Sequence, residues 1–146
     1  MEKVERGPFV SKQRVHFDMI DQMGIVHNAA YLLLFERART DYWQSLGVGY
    51  GAPGLDWPYL VARNEINYRY ALRTDQITEV TVAVSRLGNS SVTFAHEIYD
   101  AAGKLCADGG TVIVRIHPET GRPIPWSEGF RKLIAPIRTD IERVRT

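Results

Sequence analysis

The chain has 146 residues, of which 45% are hydrophobic and 24% are charged, and its formal net charge is +1. This length and composition predict one globular domain with a hydrophobic core and exclude a fully disordered chain. The small net charge argues against a nucleic acid or an anionic membrane bound through bulk electrostatics.

Three features of the sequence predict a cytoplasmic protein. The single cysteine, Cys106, cannot form a disulfide within the chain and favours a reducing compartment. Residues 1–7 carry mixed charges and lack the apolar stretch of a signal peptide. No apolar run reaches the roughly 20 residues that a transmembrane helix needs. Because we find no repeat, low-complexity tract or linker, we expect a single domain over residues 1–146.

The first patterned segment is Arg14–Met19, where apolar and polar residues alternate as in a half-buried strand. Residues 21–28 follow and lead into a helix predicted from about Ala29 to Leu46. Asn28 suits the N-cap position, and Gly47 suits the position just after a helix end. The first half of this helix is apolar on every face, which predicts that the rest of the fold encloses it.

Most of the sequence after this helix has the alternation of β-strands. Residues 47–58 are rich in glycine and proline and predict a loop, and four strands are expected around residues 65–70, 80–85, 92–98 and 105–117. Gly109 and Gly110 predict a bulge or bend in the last strand. A short helical tail is expected at about residues 127–146.

This order of elements predicts an α+β architecture, in which one antiparallel sheet wraps around one long helix. The apolar face of the sheet needs a cover, and the helix needs enclosure, so each element satisfies the other. Such a sheet has two edge strands with unpaired backbone groups. Pairing of an edge between subunits is a common solution, so we expect a homodimer, with a dimer of dimers as the larger alternative.

Asp21 is the candidate catalytic residue, because the pattern places it between a strand and the start of the long helix. Backbone N–H groups at a helix start lack partners within the helix, and the helix dipole is positive there. Such a position can bind an anion or polarise a carbonyl oxygen. An ionised carboxylate beside it can act as a nucleophile or a general base in acyl transfer. Aspartate also forms turns and caps helices for structural reasons alone, so the pattern leaves both roles open.

The segment Asp21-x-x-Gly24-x-Val26-x-Asn28-x-x-Tyr31, followed by Phe35-Glu36-Arg37-Ala38-Arg39, resembles the signature of hotdog-fold acyl-CoA thioesterases. It is most similar to the branch of 4-hydroxybenzoyl-CoA and Tol-Pal-associated thioesterases. A weaker similarity extends from about Lys12 to Pro136. The resemblance implies the hotdog fold and hydrolysis of an acyl-CoA thioester to a free acid and CoA. It implies no cofactor, since CoA is part of the substrate, and the spacing of potential ligands suggests no metal site.

The resemblance also implies roles for individual residues. Asp21 is the expected catalytic carboxylate, as a nucleophile or a general base, and Glu36 is the fallback because another hotdog branch uses a helix glutamate. The groups expected to polarise the thioester carbonyl are the backbone N–H groups of His27 and Asn28. The remaining expected contacts are the substrate pocket residues Gly24, Ile25, Val26 and Tyr31 and the CoA-binding residues Arg63, Arg86, Ser90 and Ser91. Further aromatic residues that could line an acyl pocket are Trp43, Tyr50, Trp57 and Tyr59.

The chain departs from the family pattern in ways that limit what is inherited. Met19 stands where many relatives have a second acidic residue, and Asn28 stands where the Tol-Pal branch commonly has histidine. Gly88 and Asn89 replace arginines that contact CoA phosphates in the hydroxybenzoyl enzyme. The usual Pro and Asp after the second strand are replaced by Ala71 and Gln76. The reaction class is unaffected by these changes, but the acyl group cannot be inferred.

Two other function classes compete with hydrolysis. A hotdog hydratase or dehydratase is one, but its His-containing loop motif does not occur in this sequence. A non-catalytic module that binds an acyl ligand is the other, and the intact Asp21 argues against it. Two histidines have interpretations of their own: His27 as a pocket-wall residue or a proton shuttle, and His96 as a core histidine with satisfied hydrogen bonds.

Overall fold

The computed structural model describes residues 8–49, 56 and 58–134. The elements in this part of the chain are strand β1 (Phe9–Arg14), helix α1 (Asn28–Ser45), and strands β2 (Tyr59–Tyr68), β3 (Ile77–Leu87), β4 (Ser91–Tyr99) and β5 (Leu105–Arg115). These strands form one antiparallel sheet in the order β1-β3-β4-β5-β2. Residues 128–134 are helical, and the rest of the predicted tail lies outside the described residues. None of the described helices is long and apolar enough to span a bilayer.

Helix α1 lies against one face of the sheet and supplies much of the core. Leu34, Phe35 and Ala38 are fully buried, and the helix packs on β1 and β3. The Phe35 ring stacks on His96 of β4 with 4.5 Å between ring centroids. Burial of a Leu or Phe side chain stabilises a fold by about 1.5–3 kcal/mol. The predicted α+β wrapping is confirmed, but Leu33 is 37% exposed, so a single chain does not enclose the whole helix.

The ends of α1 differ from their predicted positions by one residue. The N-cap is His27, because its Nδ1 accepts a hydrogen bond from the Ala30 N–H at 3.2 Å, and Asn28 is the first helical residue. At the other end Leu46 is the C-cap, and Gly47 follows with a φ of +77°. A left-handed glycine after the last turn is a common helix stop, so the prediction for Gly47 is confirmed.

The first predicted strand, Arg14–Met19, is wrong in its position. Strand β1 ends at Arg14, and Phe17–Met19 forms a 3-10 turn. Two of the three inward side chains of β1 are polar: Ser11 donates to Asp41 Oδ2 of α1 at 2.5 Å, and Gln13 Nε2 donates to Leu34 O at 2.9 Å. These bonds to the helix offset part of the cost of burying polar groups, although Gln13 Oε1 has no hydrogen-bond partner among the described residues. Polar inward positions also hide the strand from a search for alternating hydrophobicity.

Gly109 and Gly110 allow close approach of neighbouring strands instead of forming a bulge. The pairing of β5 with β2 and β4 continues through both residues without a register shift. A Cβ atom on Gly109 would overlap the carbonyl oxygen of Glu65, and one on Gly110 would overlap that of Phe94. The predicted bulge is therefore wrong, and a missing side chain is the property that the sheet requires here.

His96 is a core histidine with satisfied hydrogen bonds, as predicted. Its side chain is buried, and its Nδ1 lies 2.9 Å from Thr81 O, which can only accept, so Nδ1 carries the proton. Nε2 then accepts from the Arg39 guanidinium at 3.2 Å. Arg39 also donates to Thr111 Oγ1 at 2.8 Å, and Thr111 donates to Asn64 Oδ1 at 2.8 Å. This network ties α1 to the middle of the sheet.

Candidate active site

A cleft of about 360 Å³ lies between the start of α1 and the end of β2. Residues from three separate stretches of sequence form its wall: the loop before α1, the first turn of α1, and the segment where β2 ends. The lining residues are Asp21, Ile25, Val26, Asn28, Tyr31, Tyr68, Arg69, Tyr70 and Ala71. Asp21 therefore shares a cleft with the start of the long helix, as the sequence pattern suggested.

A tight turn orients the Asp21 carboxylate. The Asp21 N–H donates to Ile25 O at 2.8 Å, and the Gly24 N–H donates to Asp21 O at 3.1 Å. Gly24 has a φ of +78°, a left-handed conformation that glycine adopts without strain. Oδ1 of Asp21 accepts from the Met23 N–H at 2.8 Å, which fixes the side chain within the turn. The Asp21 side chain is half-buried, and its other oxygen, Oδ2, accepts no hydrogen bond from any described residue.

The two backbone groups expected to polarise a carbonyl have different partners. The His27 N–H already donates to Met19 O at 3.0 Å. The Asn28 N–H makes no hydrogen bond within residues 8–49, 56 and 58–134, and Asn28 lines the cleft. The first turn of α1 contains no acidic side chain to neutralise the positive end of the helix dipole. The candidate oxyanion donor is therefore the Asn28 N–H, and the His27 N–H is already engaged.

Two tyrosines join the first turn of α1 to the end of β2. The Tyr31 and Tyr68 rings pack edge to face, with 5.1 Å between centroids. Tyr68 donates from its hydroxyl to Asn28 O at 2.9 Å, and the Tyr31 hydroxyl accepts from the Leu72 N–H at 3.2 Å. The Val26 N–H donates to Leu72 O at 2.9 Å. These contacts fix the position of the helix start relative to the strand end.

Two cations make close contacts just after the end of β2. Arg69 donates to Asp108 at 2.8 Å, and this bond raises the pKa of the Arg69 guanidinium and holds the pKa of Asp108 below its usual value. The Lys104 ammonium lies 3.4 Å from the centroid of the Tyr70 ring, which is a cation–π contact. The one cation among the described residues of the cleft wall, Arg69, is thus paired with a carboxylate, and Lys104 contacts the wall residue Tyr70 without lining the cleft itself.

The structure brings together some of the predicted site residues and separates others. Asp21, Asn28 and Tyr31 line the cleft together with Ile25 and Val26. Gly24 shapes the turn but is not part of the wall, and the His27 ring caps the helix. Glu36 is exposed on α1 and is not among the cleft residues, so the structure gives no support to the fallback carboxylate.

The predicted CoA-binding residues lie outside the cleft that contains Asp21. Arg63 precedes Tyr68 by five residues on β2, which corresponds to about 17 Å. Arg63 pairs with Glu65 at 3.5 Å in an exposed ion pair. Ser90 and Ser91 lie at the β3–β4 turn, and Arg86 lies just before it. No member of this group lines the cleft, and their contact with CoA stays a prediction.

Of the other four aromatic residues proposed for an acyl pocket, two pack in or beside the core and two lie outside the part of the chain that the structure describes. Trp43 is buried against Phe94 and Phe130, with 5.9 Å between ring centroids in each pair, and Tyr59 packs beside it at 6.4 Å. Tyr50 and Trp57 lie outside the described residues.

Four residues of the cleft wall were not identified from the sequence, which are Tyr68, Arg69, Tyr70 and Ala71. Within the described part of the chain, no group of three or more His, Cys, Asp or Glu side chains is arranged to hold a metal ion.

Comparison with known proteins places this geometry in a family. Residues 15–134 match the family model of the thioesterase-like superfamily. The chain belongs to this superfamily, and its architecture is the hotdog fold. It is 28% identical over 126 residues to the putative acyl-CoA thioesterase YneP of Bacillus subtilis, which covers 83% of this chain and 90% of YneP. It is 23% identical over 111 residues to the acyl-CoA thioester hydrolase YbgC of Escherichia coli, with 75% and 83% covered.

Solved structures agree with this assignment. A thioesterase from Thermus thermophilus, whose structure contains coenzyme A and zinc, is 30% identical to this chain. The superposition has a TM-score of 0.74 and covers 89% of this chain and 94% of the other. A predicted thioesterase from Bacillus stearothermophilus superposes with a TM-score of 0.79 at 24% identity, covering 90% and 96%.

Proposed function

We propose that this protein hydrolyses an acyl-CoA thioester to a free acid and CoA, with Asp21 as the reacting carboxylate. The observation that carries this proposal is that the Asp21 carboxylate and the unengaged Asn28 N–H share one cleft in a thioesterase-like fold. The names of YneP and YbgC, and the coenzyme A in the Thermus structure, support the choice of substrate class.

The geometry suits either of two balanced routes. As a nucleophile, Asp21 attacks the thioester carbon, the CoA thiolate leaves, and water then hydrolyses the resulting anhydride. As a general base, Asp21 takes a proton from a water molecule that attacks the same carbon, and the proton passes to the leaving thiolate. In both routes the Asn28 N–H stabilises the negative charge that develops on the carbonyl oxygen.

The direct test compares CoA release by the wild-type protein and by Asp21→Asn over a panel of acyl-CoA chain lengths. The amide keeps an acceptor for the Met23 N–H, so the turn is expected to stay folded. We expect kcat to fall by about 10²- to 10⁴-fold, because a positioned acid–base group contributes that much. Asp18→Asn is the matched control, since Asp18 is an exposed carboxylate three residues away that does not line the cleft.

The alternatives give different results in the same experiment. If Asp21→Asn releases CoA as fast as the wild-type protein, the proposed role of Asp21 is wrong. If the folded wild-type protein binds acyl-CoA but releases no CoA at any chain length, it is a non-catalytic binding module. Addition of water to an enoyl-CoA without CoA release would instead identify a hydratase.

We further propose that the protein is a homodimer in which β2 pairs with β2 of a second copy. Strand β2 is a sheet edge that bonds only to β5 within the described chain. It is ten residues long, and Leu60 and Val61 on it are 41% and 43% exposed. A long edge strand with exposed apolar side chains at one end is a liability unless another chain covers it. The predicted cytoplasmic location and the dimer-of-dimers alternative remain predictions.

A further inference from the structure

The Tyr31 hydroxyl carries a proton that no described residue accepts. Its side chain is 4% exposed, yet it lines the same cleft as Asp21 and Asn28. Its oxygen accepts from the Leu72 N–H, and no hydrogen bond within residues 8–49, 56 and 58–134 uses its O–H as a donor. Buried hydroxyl groups normally use their hydrogen-bonding capacity, so an unused donor in a binding cleft points to a ligand.

The position of this hydroxyl is fixed by its surroundings. Tyr31 follows Asn28 by three residues on α1, and side chains at that spacing lie on the same face of a helix. The edge-to-face contact with Tyr68 holds its ring, and the Leu72 N–H holds its oxygen. A donor held in place before the substrate arrives needs no reorganisation when charge develops.

The Tyr31 hydroxyl is neutral, so it can donate a hydrogen bond but cannot act as a base. Burial raises the pKa of the Tyr31 hydroxyl above its ordinary value, and this effect outweighs the hydrogen bond from the Leu72 N–H, which lowers it. The hydroxyl therefore stays protonated at neutral pH and well above it. A neutral phenol of raised pKa is matched to hydrogen bonding with an oxyanion and is a poor source of a transferred proton.

We propose that the Tyr31 hydroxyl donates a hydrogen bond to the thioester carbonyl oxygen and completes a two-donor oxyanion hole with the Asn28 N–H. This inference rests on the proposed thioesterase function. The hydrogen bond strengthens as the carbonyl oxygen becomes negative in the tetrahedral transition state, and such an interaction raises kcat more than it lowers KM. Tyr31 is then a catalytic residue that contacts the reacting atoms.

Kinetics of Tyr31→Phe test this role, because the ring remains and only the hydroxyl is lost. We expect kcat to fall by about 10²-fold with little change in KM, as for removal of one oxyanion donor. Tyr99→Phe is the matched control: its hydroxyl donates to Glu97 at 2.7 Å on β4, away from the cleft, and its removal should leave kcat unchanged. The second variant carries 3,5-difluorotyrosine at position 31, which keeps the hydroxyl and lowers its pKa. Its activity should decline at a lower alkaline pH than that of the wild-type protein, which a structural role alone would not produce.

The outcomes separate this inference from the function on which it rests. If Tyr31→Phe retains kcat within twofold of the wild-type value while Asp21→Asn is inactive, the inference fails and the proposed function stands. If the fluorinated protein has the same alkaline limit as the wild-type protein, Tyr31 acts through packing and the inference also fails. If the wild-type protein releases no CoA from any acyl-CoA, the function and the inference are both overturned.

Discussion

Gly109 sets how closely β5 can approach the edge strand β2. Its Cα faces the Glu65 carbonyl across the ladder, and a methyl group there would overlap that oxygen. Since a backbone carbonyl in a ladder cannot rotate away as a side chain can, Gly109→Ala must push β2 outward. We expect the free energy of unfolding to fall by about 1–3 kcal/mol, the usual cost of overpacking, measured by urea denaturation.

Gly49 offers a matched control for this prediction. A Cβ at Gly49 meets no atom of the described residues within 4 Å, and its backbone does not adopt a left-handed conformation. Gly49→Ala should therefore leave the urea midpoint nearly unchanged. Equal midpoints for the two alanine variants would show that the β2–β5 ladder adjusts without cost, contrary to the argument from close approach.

At the scale of elements, His96 makes the stability of the folded protein depend on pH through the contact between α1 and the sheet. Burial, together with the neighbouring Arg39 guanidinium, lowers the pKa of His96 from 6.5 to about 3. The unfolded chain takes up a proton below pH 6.5, whereas the folded protein keeps the ring neutral. The stability associated with His96 is therefore complete above pH 6.5 and decreases as pH falls from 6.5 towards 3.

This linkage predicts a loss of about 2 kcal/mol in the free energy of unfolding between pH 6.5 and pH 5, at 1.36 kcal/mol per pH unit. Urea denaturation at pH 7 and pH 5 measures it. His96→Gln can retain a donor to Thr81 O and an acceptor for Arg39, and it should show a smaller loss between the two pH values. His16→Gln, at an exposed position, should lose as much stability as the wild-type protein. A His96→Gln variant with an unchanged pH dependence would contradict the assignment.

The same scale shows which elements a sequence can reveal. The ends of α1 were predicted within one residue because caps and a terminal glycine act locally. Strand β1 was misplaced because its buried Ser11 and Gln13 donate hydrogen bonds to groups of α1 that lie 21–30 residues away. Whether a buried side chain has a distant partner is a property of the fold, and no pattern within the strand itself shows it.

The candidate site likewise contains some residues that the sequence reveals and others that only the fold reveals. Asp21, Asn28 and Tyr31 belong to one local signature, and a resemblance over that segment was enough to propose their roles. Tyr68 and Arg69 reach the cleft from the end of β2, about 40 residues further along the chain. The antiparallel pairing of β2 with β5 determines where this strand ends, and no local feature of residues 68–71 indicates that they meet the start of α1.

For the whole molecule, the two edge strands of the sheet differ in how readily each is expected to pair with a second copy of the chain. Val61 on β2 and Val10 on β1 are both 43% exposed, so they are equal in residue type and exposure. Strand β2 has ten residues, and its exposed Arg63 and Glu65 neutralise each other. Strand β1 has six residues and carries two side chains of like charge, Lys12 and Arg14, on its outward face. A short edge with charges of one sign resists pairing with another chain, and a longer edge with exposed apolar side chains favours it. The partner should therefore occupy the β2 edge.

Val61→Lys should weaken a β2-paired dimer, because the interface would have to bury a charge in place of an apolar side chain. We expect the dimer dissociation constant to rise at least about tenfold, equivalent to 1.4 kcal/mol. Val10→Lys should leave it unchanged. Size-exclusion chromatography with light scattering over a range of concentrations distinguishes the 16.6 kDa monomer from a dimer of twice that mass. A monomeric wild-type protein would reject the dimer, whereas dissociation caused by Val10→Lys and not by Val61→Lys would place the second copy on the β1 edge.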